Sequence, residues 1–335
     1  MNDTRKRRPT LQDIADLTGV TKMTVSRYLR DPSAVAEGTR ERIAAAVEEL
    51  GYIPNRAPDM LSNATSKAIG ILIPSLSNQV FSAVIHGIEA VTRPAGYQTL
   101  LAHYGYSPER EEEQVASLLS YNVDGLILAD TQHTDRTRKM IATAGIPVVE
   151  TMDLPLSPID MVVGMDHRAA ARAMVTEMLR RGRRKVVYLG ARLDVRTQLR
   201  MEGYYQAMAD FGLNGQHLLT EQSSSFTLGG QLLEQAMARY PDLDGLFCTN
   251  DDVAVGALLQ CQARWIPVPQ QIAIAGCNAL DIGHAMTPKL ASISTPREAI
   301  GREAAAMLLA RLNGQPQAEH RKDMGFSLYE GESLG

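Results

Sequence analysis

The stretch TLQDIADLTGVTKMTVSRYLR, Thr10–Arg30, decides the fold of the N-terminal part. Thr10 is a helix N-cap candidate with Asp13 three positions on, close to a capping-box pattern. Leu11, Ile14, Ala15 and Leu17 or Thr18 then follow at helical spacing. Gly19 can take the positive φ that ends a helix without steric cost. Thr21 can cap a second helix, Lys22–Leu29, in which Val25 and Leu29 face inward at i, i+4. Two short helices joined by a Gly-containing turn make a helix-turn-helix. The second helix of such a pair enters the major groove with its N-terminal residues at base edges, which places Lys22, Met23, Ser26 and Arg27 there. A long Lys or Arg can donate to guanine O6/N7 or to phosphate, and a methionine can touch a thymine methyl. Thr10, Thr21 and Thr24 complete the expected DNA-binding set of this module.

Charge supports the same reading. Residues 1–30 carry seven Lys/Arg against three acids, a local +4 in a chain of net −4, so the remainder carries −8. That asymmetry points to an anionic partner for the N-terminus, or to a solvated charged tail.

Downstream, a helix is expected over Ala36–Leu50, with Ile43, Val47 and Leu50 on one face and Gly51 ending it. YIPNRAPDML, Tyr52–Leu61, follows. Pro54 stops any earlier helix, Asn55 can cap a new one, and Pro58 falls in its first turn, where no amide donor is needed. This segment reads as a linker or as a hinge helix that orders on DNA.

From Lys67 the pattern changes. AIGILIP (68–74), TLLAHY (99–104), GLILAD (125–130) and PVVETMD (147–153) are short apolar runs separated by amphipathic stretches such as Val84, Ile85, Ile88 and Val91, then Val115, Leu118 and Leu119. The pattern repeats with KVVYLGA (185–191), GLFCTND (245–251) and IAIAGCN (272–278), and with helices near 195–211, 228–239, 253–263 and 297–312. Alternating strands and helices imply two doubly wound parallel sheets. The fold class expected is thus a small all-α helix-turn-helix domain plus a two-lobed α/β core. The expected division is a headpiece over 1–54, a hinge over 55–66 and a core over 67–335. Its N-lobe would cover about 67–160, and its C-lobe about 161–289 plus 297–335. MVVGMD (161–166) and LASISTP (290–296) would cross between the lobes, the latter counted with the N-lobe.

Ligands of open α/β sheets bind beyond the carboxyl ends of the strands. The strand ends carry Ser75, Ser77, Asn78 and Gln79, then Thr131 and His133, Asp153, Asn250 and Asp251, and Asn278. Hydroxyls, amides and carboxylates suit a polyhydroxylated ligand, because each of its hydroxyls both donates and accepts. ARLDVRTQLR adds Arg192, Arg196 and Arg200, and Arg196 and Arg200 share a helix face. Two arginines favour a carboxylate-bearing ligand, held by a forked, charge-assisted contact. Other uses are open at several of these positions: Asn250 and Asp251 can cap a helix, and His133, Arg192 and Arg196 can be solvated.

Other functions lack their signatures. There is no GxGxxG after a strand, GxxxxGK[ST], GxSxG or HExxH, so no enzyme activity, metal or cofactor is expected. The three cysteines have no CxxC spacing, which fits a reducing compartment. No apolar run follows the charged N-terminus, and no stretch approaches the roughly 18 apolar residues of a membrane span. A cytoplasmic protein with no membrane partner is expected. A solute-binding transport protein would share the core, but would need a signal peptide and lack residues 1–61.

TLQDIADLTGVTKMTVSRYLR, the downstream TRERI and GYIPNRAPDML, in this order and spacing, resemble the LacI/GalR family of bacterial transcriptional regulators. The resemblance continues through the chain and implies a periplasmic-binding-protein-like core. It implies a homodimer on pseudo-palindromic operator DNA, and no heptad run after Leu312 suggests a further coiled coil. It also implies hinge residues Asn55 and Arg56 at the DNA and Leu61 wedged into a minor-groove base step, exchanging unstacking for a bent duplex. In the family, positions matching Arg196 and Arg200 border the effector, and Phe81 joins the effector set. Two departures stand out: Ala36 replaces the usual Ser or Thr cap, and Pro58 lies inside the hinge. Within the family, TKMTVSR, LIPSLSNQVF, YQTLLAHYGY and LDGLFCTNDD look most like gluconate and L-idonate regulators. The implied effector is gluconate, a phosphorylated gluconate or a close aldonate, acting as an inducer that releases DNA; a neutral sugar is the alternative.

Overall fold

The computed structural model describes residues 7–55, 65–316 and 319–335. Two compact units emerge, Met1–Ser66 and Lys67–Gly335.

In the first unit, α1 (Leu11–Thr18), α2 (Lys22–Arg30) and α3 (Glu37–Leu50) surround one small core. The Thr10–Asp13 capping box is formed in both directions, which satisfies two of the donors a helix start leaves open. Gly19 ends α1 in the left-handed region at φ +68. Arg42 donates to the Thr18 carbonyl at 3.1 Å and so ties α3 to the end of α1. Thr21 caps α2 by accepting from the Thr24 amide at 3.2 Å. Ile14, Val25 and Ile43 are fully buried and meet Ala46 and Tyr52. Each of the three aliphatic side chains contributes about 1.5–3 kcal/mol by leaving water. Ala36 occupies the cap position of α3 and supplies no side-chain bond. The sequence expectations at Arg56, Pro58 and Leu61 lie outside the described residues, and Asn55 is an exposed residue beyond α3.

The second unit contains two sheets. Its elements run β1 (Ala68–Ile73), α4 (Gln79–Thr92), β2 (Gln98–His103), α5 (Pro108–Ser120), β3 (Gly125–Leu128), α6 (Asp135–Ala144), β4 (Val148–Met152), β5 (Met161–Gly164) and α7 (His167–Arg180). They continue with β6 (Val186–Ala191), α8 (Val195–Asp210), β7 (Gln216–Thr220), α9 (Phe226–Arg239), β8 (Gly245–Cys248), α10 (Asp251–Ala263), β9 (Ala273–Cys277) and α11 (Asp281–Ala285). The chain ends with β10 (Ala291–Ser294), α12 (Arg297–Leu312), β11 (Arg321–Asp323) and β12 (Ser327–Tyr329). The first sheet has the order β2-β1-β3-β4-β5-β11 and the second β7-β6-β8-β9-β10-β12. The pairings are parallel except β10 with β12. β3, β4, β5, β6, β8 and β9 are buried along their whole length. That explains why they read as continuous apolar runs, since helices cover both faces of a parallel sheet.

The lobe boundaries differ from the sequence reading. Met161–Gly164 lies in the first sheet, between β4 and β11, and not in the C-lobe. Ala291–Ser294 lies in the second sheet, between β9 and β12, so 290–296 does not belong to the N-lobe. α12 packs on α4 in the first lobe. Gly87 and Gly301 make that contact possible: a Cβ on Gly301 would sit 2.1 Å from the Val84 carbonyl, and one on Gly87 2.2 Å from that of Glu298. The chain therefore crosses between lobes three times, after β5, after β10 and between β11 and β12. The last crossing involves strands of only three residues, too short for an apolar period to register.

Candidate functional site

In the helix-turn-helix unit, Thr21, Lys22, Met23 and Arg27 are exposed on the first turns of α2, with Thr24 and Ser26 half-buried beside them. Met23 is 74% exposed and stands next to Lys22 at the start of α2. Among the described residues no carboxylate pairs with Lys22, Arg27 or Arg30. These cations are available to phosphates and base edges. Thr10 is exposed, and its hydroxyl is engaged with Asp13 at 2.7 Å.

In the core unit, the strand ends of both lobes face one cavity of about 410 Å³, open solvent at its mouth included. Asn78, Phe81, Tyr106 and Met152 line it from the first lobe, and Arg192, Asp194, Arg196, Arg200, Asn250 and Asn278 from the second. Three helix starts converge here. Asn78 caps α4 by accepting from the Val80 amide at 3.1 Å, Asp194 caps α8 from Thr197 at 2.8 Å, and Asn250 caps α10 from Val253 at 3.2 Å. Helix N-termini favour negative charge nearby. Asn250 thus both caps and lines the cavity, and its Nδ2 donates to Ser224 at 2.8 Å.

The two arginines of α8 play different parts. Arg196 reaches into the first lobe. Its Nε donates to Asp153 Oδ1 at 3.1 Å, its Nη2 lies 3.1 Å from Oδ2, and Nη2 donates to the Ala129 carbonyl at 2.7 Å. Burial works to raise the Asp153 carboxyl, but the Arg196 guanidinium and His167 outweigh it and hold its pKa down to about 2. The charge of Arg196 is already met inside the protein. Arg200 is 5% exposed. It donates from Nη1 to the Thr249 carbonyl at 2.5 Å and from Nη2 to His167 Nδ1 at 3.3 Å. Its Nε is buried without a partner, and among the described residues no carboxylate lies within ion-pair distance of it. Arg196 lines the cavity with its charge already met by Asp153, whereas Arg200 and Arg192 line it with no ion-pair partner among the described residues. Asp153 itself is an interlobe pair, not part of the cavity lining.

Other expected site residues sit elsewhere. His133 is buried between Glu111, at 2.8 Å from Nδ1, and Glu150, at 3.4 Å from Nε2. Burial works to lower its pKa, but the two carboxylates raise it to about 9. It sits in the loop between β3 and α6, but its side chain is an internal cation of the first lobe and does not line the cavity. Asp251 accepts from Ser292 Oγ and from the Leu280 amide, both at 2.6 Å, and burial raises its pKa to about 6 against those bonds. It joins α10 to β10 and α11 and does not line the cavity. Gln79 is exposed at the first turn of α4, and Ser75 bonds Ser77 and the Asn78 amide. Asn278 lines the cavity with φ +114 and lies 3.5 Å from Thr295 Oγ1.

Sequence reading missed Tyr106, Asp194, Thr197, Ser224 and Thr249 as cavity residues. Arg192, allowed there to be solvated, has φ +70 and stacks its guanidinium on the Tyr106 ring at 3.8 Å, across the lobes. The YGY repeat at 104–106 carried a signal: two aromatic residues with polar tips at a strand end. Tyr104 donates to Asp130 at 2.8 Å, while Tyr106 faces the cavity.

Residues 10–55 match the family described as bacterial regulatory proteins, lacI family. Residues 66–324 match the periplasmic binding proteins and sugar binding domain of LacI family. The chain is 56% identical over 330 residues to the HTH-type transcriptional regulator GntR of Escherichia coli K12, covering 98% of this chain and 100% of that protein. It is 51% identical over 331 residues to the regulator IdnR of the same strain, with 98% and 100% covered. A crystal structure of a LacI family transcriptional regulator from Silicibacter pomeroyi is 35% identical with TM-score 0.91, covering 97% of this chain and 99% of that one. The two family matches fall on the helix-turn-helix unit and on the two-lobed core, and the chain belongs to the LacI family: it is a DNA-binding transcriptional regulator, not an enzyme.

Proposed function

We propose that the cavity binds a sugar acid, an aldonate such as gluconate, and that its binding lowers affinity for operator DNA. The single observation that carries this is Arg200. A buried guanidinium with an unpartnered Nε and no carboxylate nearby is costly unless an anion meets it. A ligand carboxylate would receive it at a site where three helix starts add to the attraction. Asn78, Ser224, Asn250 and Asn278 supply the donor and acceptor groups that several hydroxyls need. Of the cavity cations, Arg200 is the one held at the helix starts, and it matches a ligand carboxylate. Arg192 lines the same cavity, stacked on Tyr106 with its Nε buried and unpartnered and no ion pair among the described residues, so the roughly 1.5–2 further negative charges of a 6-phosphorylated aldonate would also meet a cation. The resemblance to gluconate and L-idonate regulators agrees.

The regulator acts as a homodimer in the cytoplasm, placing two α2 helices in successive major grooves of a pseudo-palindrome. Ligand shifts the balance between core states and so between DNA-binding states, in proportion to its differential affinity for them. A titration of gluconate, its 6-phosphate, idonate and glucose against the protein–operator complex tests the reading. Release by the sugar acids, gluconate, idonate or the 6-phosphate, at lower concentration than by glucose is expected. Release by glucose alone would sink the carboxylate argument.

A further inference from the structure

His167 was not among the residues that the sequence singled out, yet it touches both lobes. It is the first residue of α7, packed in the second lobe, and is 1% exposed. Its Nε2 lies 3.1 Å from the Met152 carbonyl and 3.2 Å from Asp153 Oδ1, both in the first lobe. Its Nδ1 lies 3.3 Å from Arg200 Nη2, in the second. Nε2 faces two acceptors and must donate. Nδ1 faces a guanidinium, which can only donate, and must accept. The contacts therefore select the neutral Nε2–H tautomer, with the Nδ1 lone pair on Arg200.

The two ends of this bridge are both at the ligand cavity. Met152 lines it and has φ +83, a strained value for a residue with an unbranched but long side chain. Its carbonyl also accepts from the Met165 amide at 3.3 Å. This turn delivers Asp153 to Arg196. At the other end, His167 and the Thr249 carbonyl take the two terminal nitrogens of Arg200 and leave the Nε without a partner.

We propose that His167 is the positioning residue of the ligand clamp, accepting from Arg200 so that the free edge of the guanidinium is held toward the cavity, and donating to Met152 so that the clamp is tied to the opposite lobe. The proposal rests on the assignment of Arg200 to the ligand carboxylate. Charged groups bearing on the ring are Arg200, Asp153 and Arg196. Burial and the Arg200 charge hold its pKa below the ordinary histidine value against the pull of Asp153, in agreement with the tautomer that the contacts require.

Two substitutions separate positioning from packing. His167→Asn puts an amide oxygen near the place of Nδ1 and can still accept from Arg200. His167→Gln puts an amide near the place of Nε2, can serve the Met152 carbonyl, and leaves Arg200 Nη2 without its acceptor. Calorimetry with gluconate on the full chain should give His167→Asn within about threefold of the unsubstituted affinity. His167→Gln should be weaker by about tenfold or more, a loss of about 1.4 kcal/mol or more, and its Tm should fall as well, because Arg200 Nη2 is left buried without its acceptor. A role in packing alone would not rank the two this way. Wild-type gluconate affinity in His167→Gln, or an equal loss in both variants, overturns the proposal. Should His167→Gln not fold, the imidazole nitrogen resonances of the intact protein decide. Pyridine-type Nδ1 and protonated Nε2 at pH 7 are expected, and an imidazolium or the Nδ1–H tautomer overturns it. Arg200→Ala belongs in the same series. If it keeps full gluconate affinity, the clamp assignment itself is wrong. If it loses affinity while His167→Gln does not, only the role of His167 is wrong.

Discussion

Asp153→Ala removes the carboxylate that holds Arg196 across the two lobes. The cost can be worked in two ways. Lowering the Asp153 pKa from 3.8 to about 2 corresponds to about 2 kcal/mol of preference for the ionised form in the folded state. That counts the carboxylate alone. Deleting it also leaves the Arg196 guanidinium buried with the Ala129 carbonyl as its remaining acceptor, and breaking such a pair from one side costs about 3–5 kcal/mol. The larger figure applies, because the stranded cation dominates. Urea unfolding followed by circular dichroism measures it as a fall in midpoint at constant slope. Asp153→Ala combined with Arg196→Met should recover much of the loss, since a buried pair can be exchanged for apolar groups at little cost. The same carboxylate predicts a pH signature. Its folded pKa lies below the unfolded one, so its stabilisation is complete above pH 3.8 and disappears as pH falls toward about 2. Asp153→Ala should lack that part of the acid loss. A cost below about 1 kcal/mol, the value of a surface ion pair, would refute the reasoning.

Three further outcomes follow from the structure. Ala36→Ser supplies the cap that α3 lacks and should raise headpiece stability by about 1 kcal/mol, read in thermal unfolding followed by helical signal. Gly301→Ala drives a Cβ into the Val84 backbone and should destabilise the core by about 1–3 kcal/mol, seen as a lower urea midpoint. Lys22→Ala should weaken operator binding and leave gluconate affinity unchanged. If Lys22 meets a phosphate, the slope of log affinity against log salt falls by about 1; an unchanged slope with loss of base preference assigns it to a base edge instead.

Much of the fold was legible because local chemistry and tertiary structure agree. Thr10, Asp13, Gly19 and Thr21 mark the helix ends where the structure has them. The apolar runs at 68–74 and 186–191 are strands covered on both faces. What failed is instructive. His167–Arg180 carries a weak helix signal in the sequence, although Asp166 caps it through the Ala169 amide at 2.9 Å, because alanines and methionines on its inner face make a weak apolar stripe. β7 is half-exposed at a sheet edge and mixes polar with apolar residues. Lobe membership of β5 and β10 could not be read, since strand order depends on which sheet each strand joins after crossing, and no period encodes that. At the site, residue types at strand ends pointed to the right region, but the pairings inside it are three-dimensional. Nothing within ARLDVRTQLR tells that Asp153, 43 positions away from Arg196, takes one arginine and leaves the other.

Arg200 carries the account, and the most direct measurement is operator release. With fluorescently labelled operator held by the full-length protein, gluconate should lower anisotropy in a saturable way. Arg200→Ala should bind the same operator equally well and hold it through the whole titration. Release from the Arg200→Ala complex at the unsubstituted protein's gluconate concentration would contradict the assignment of the unmet guanidinium to the effector.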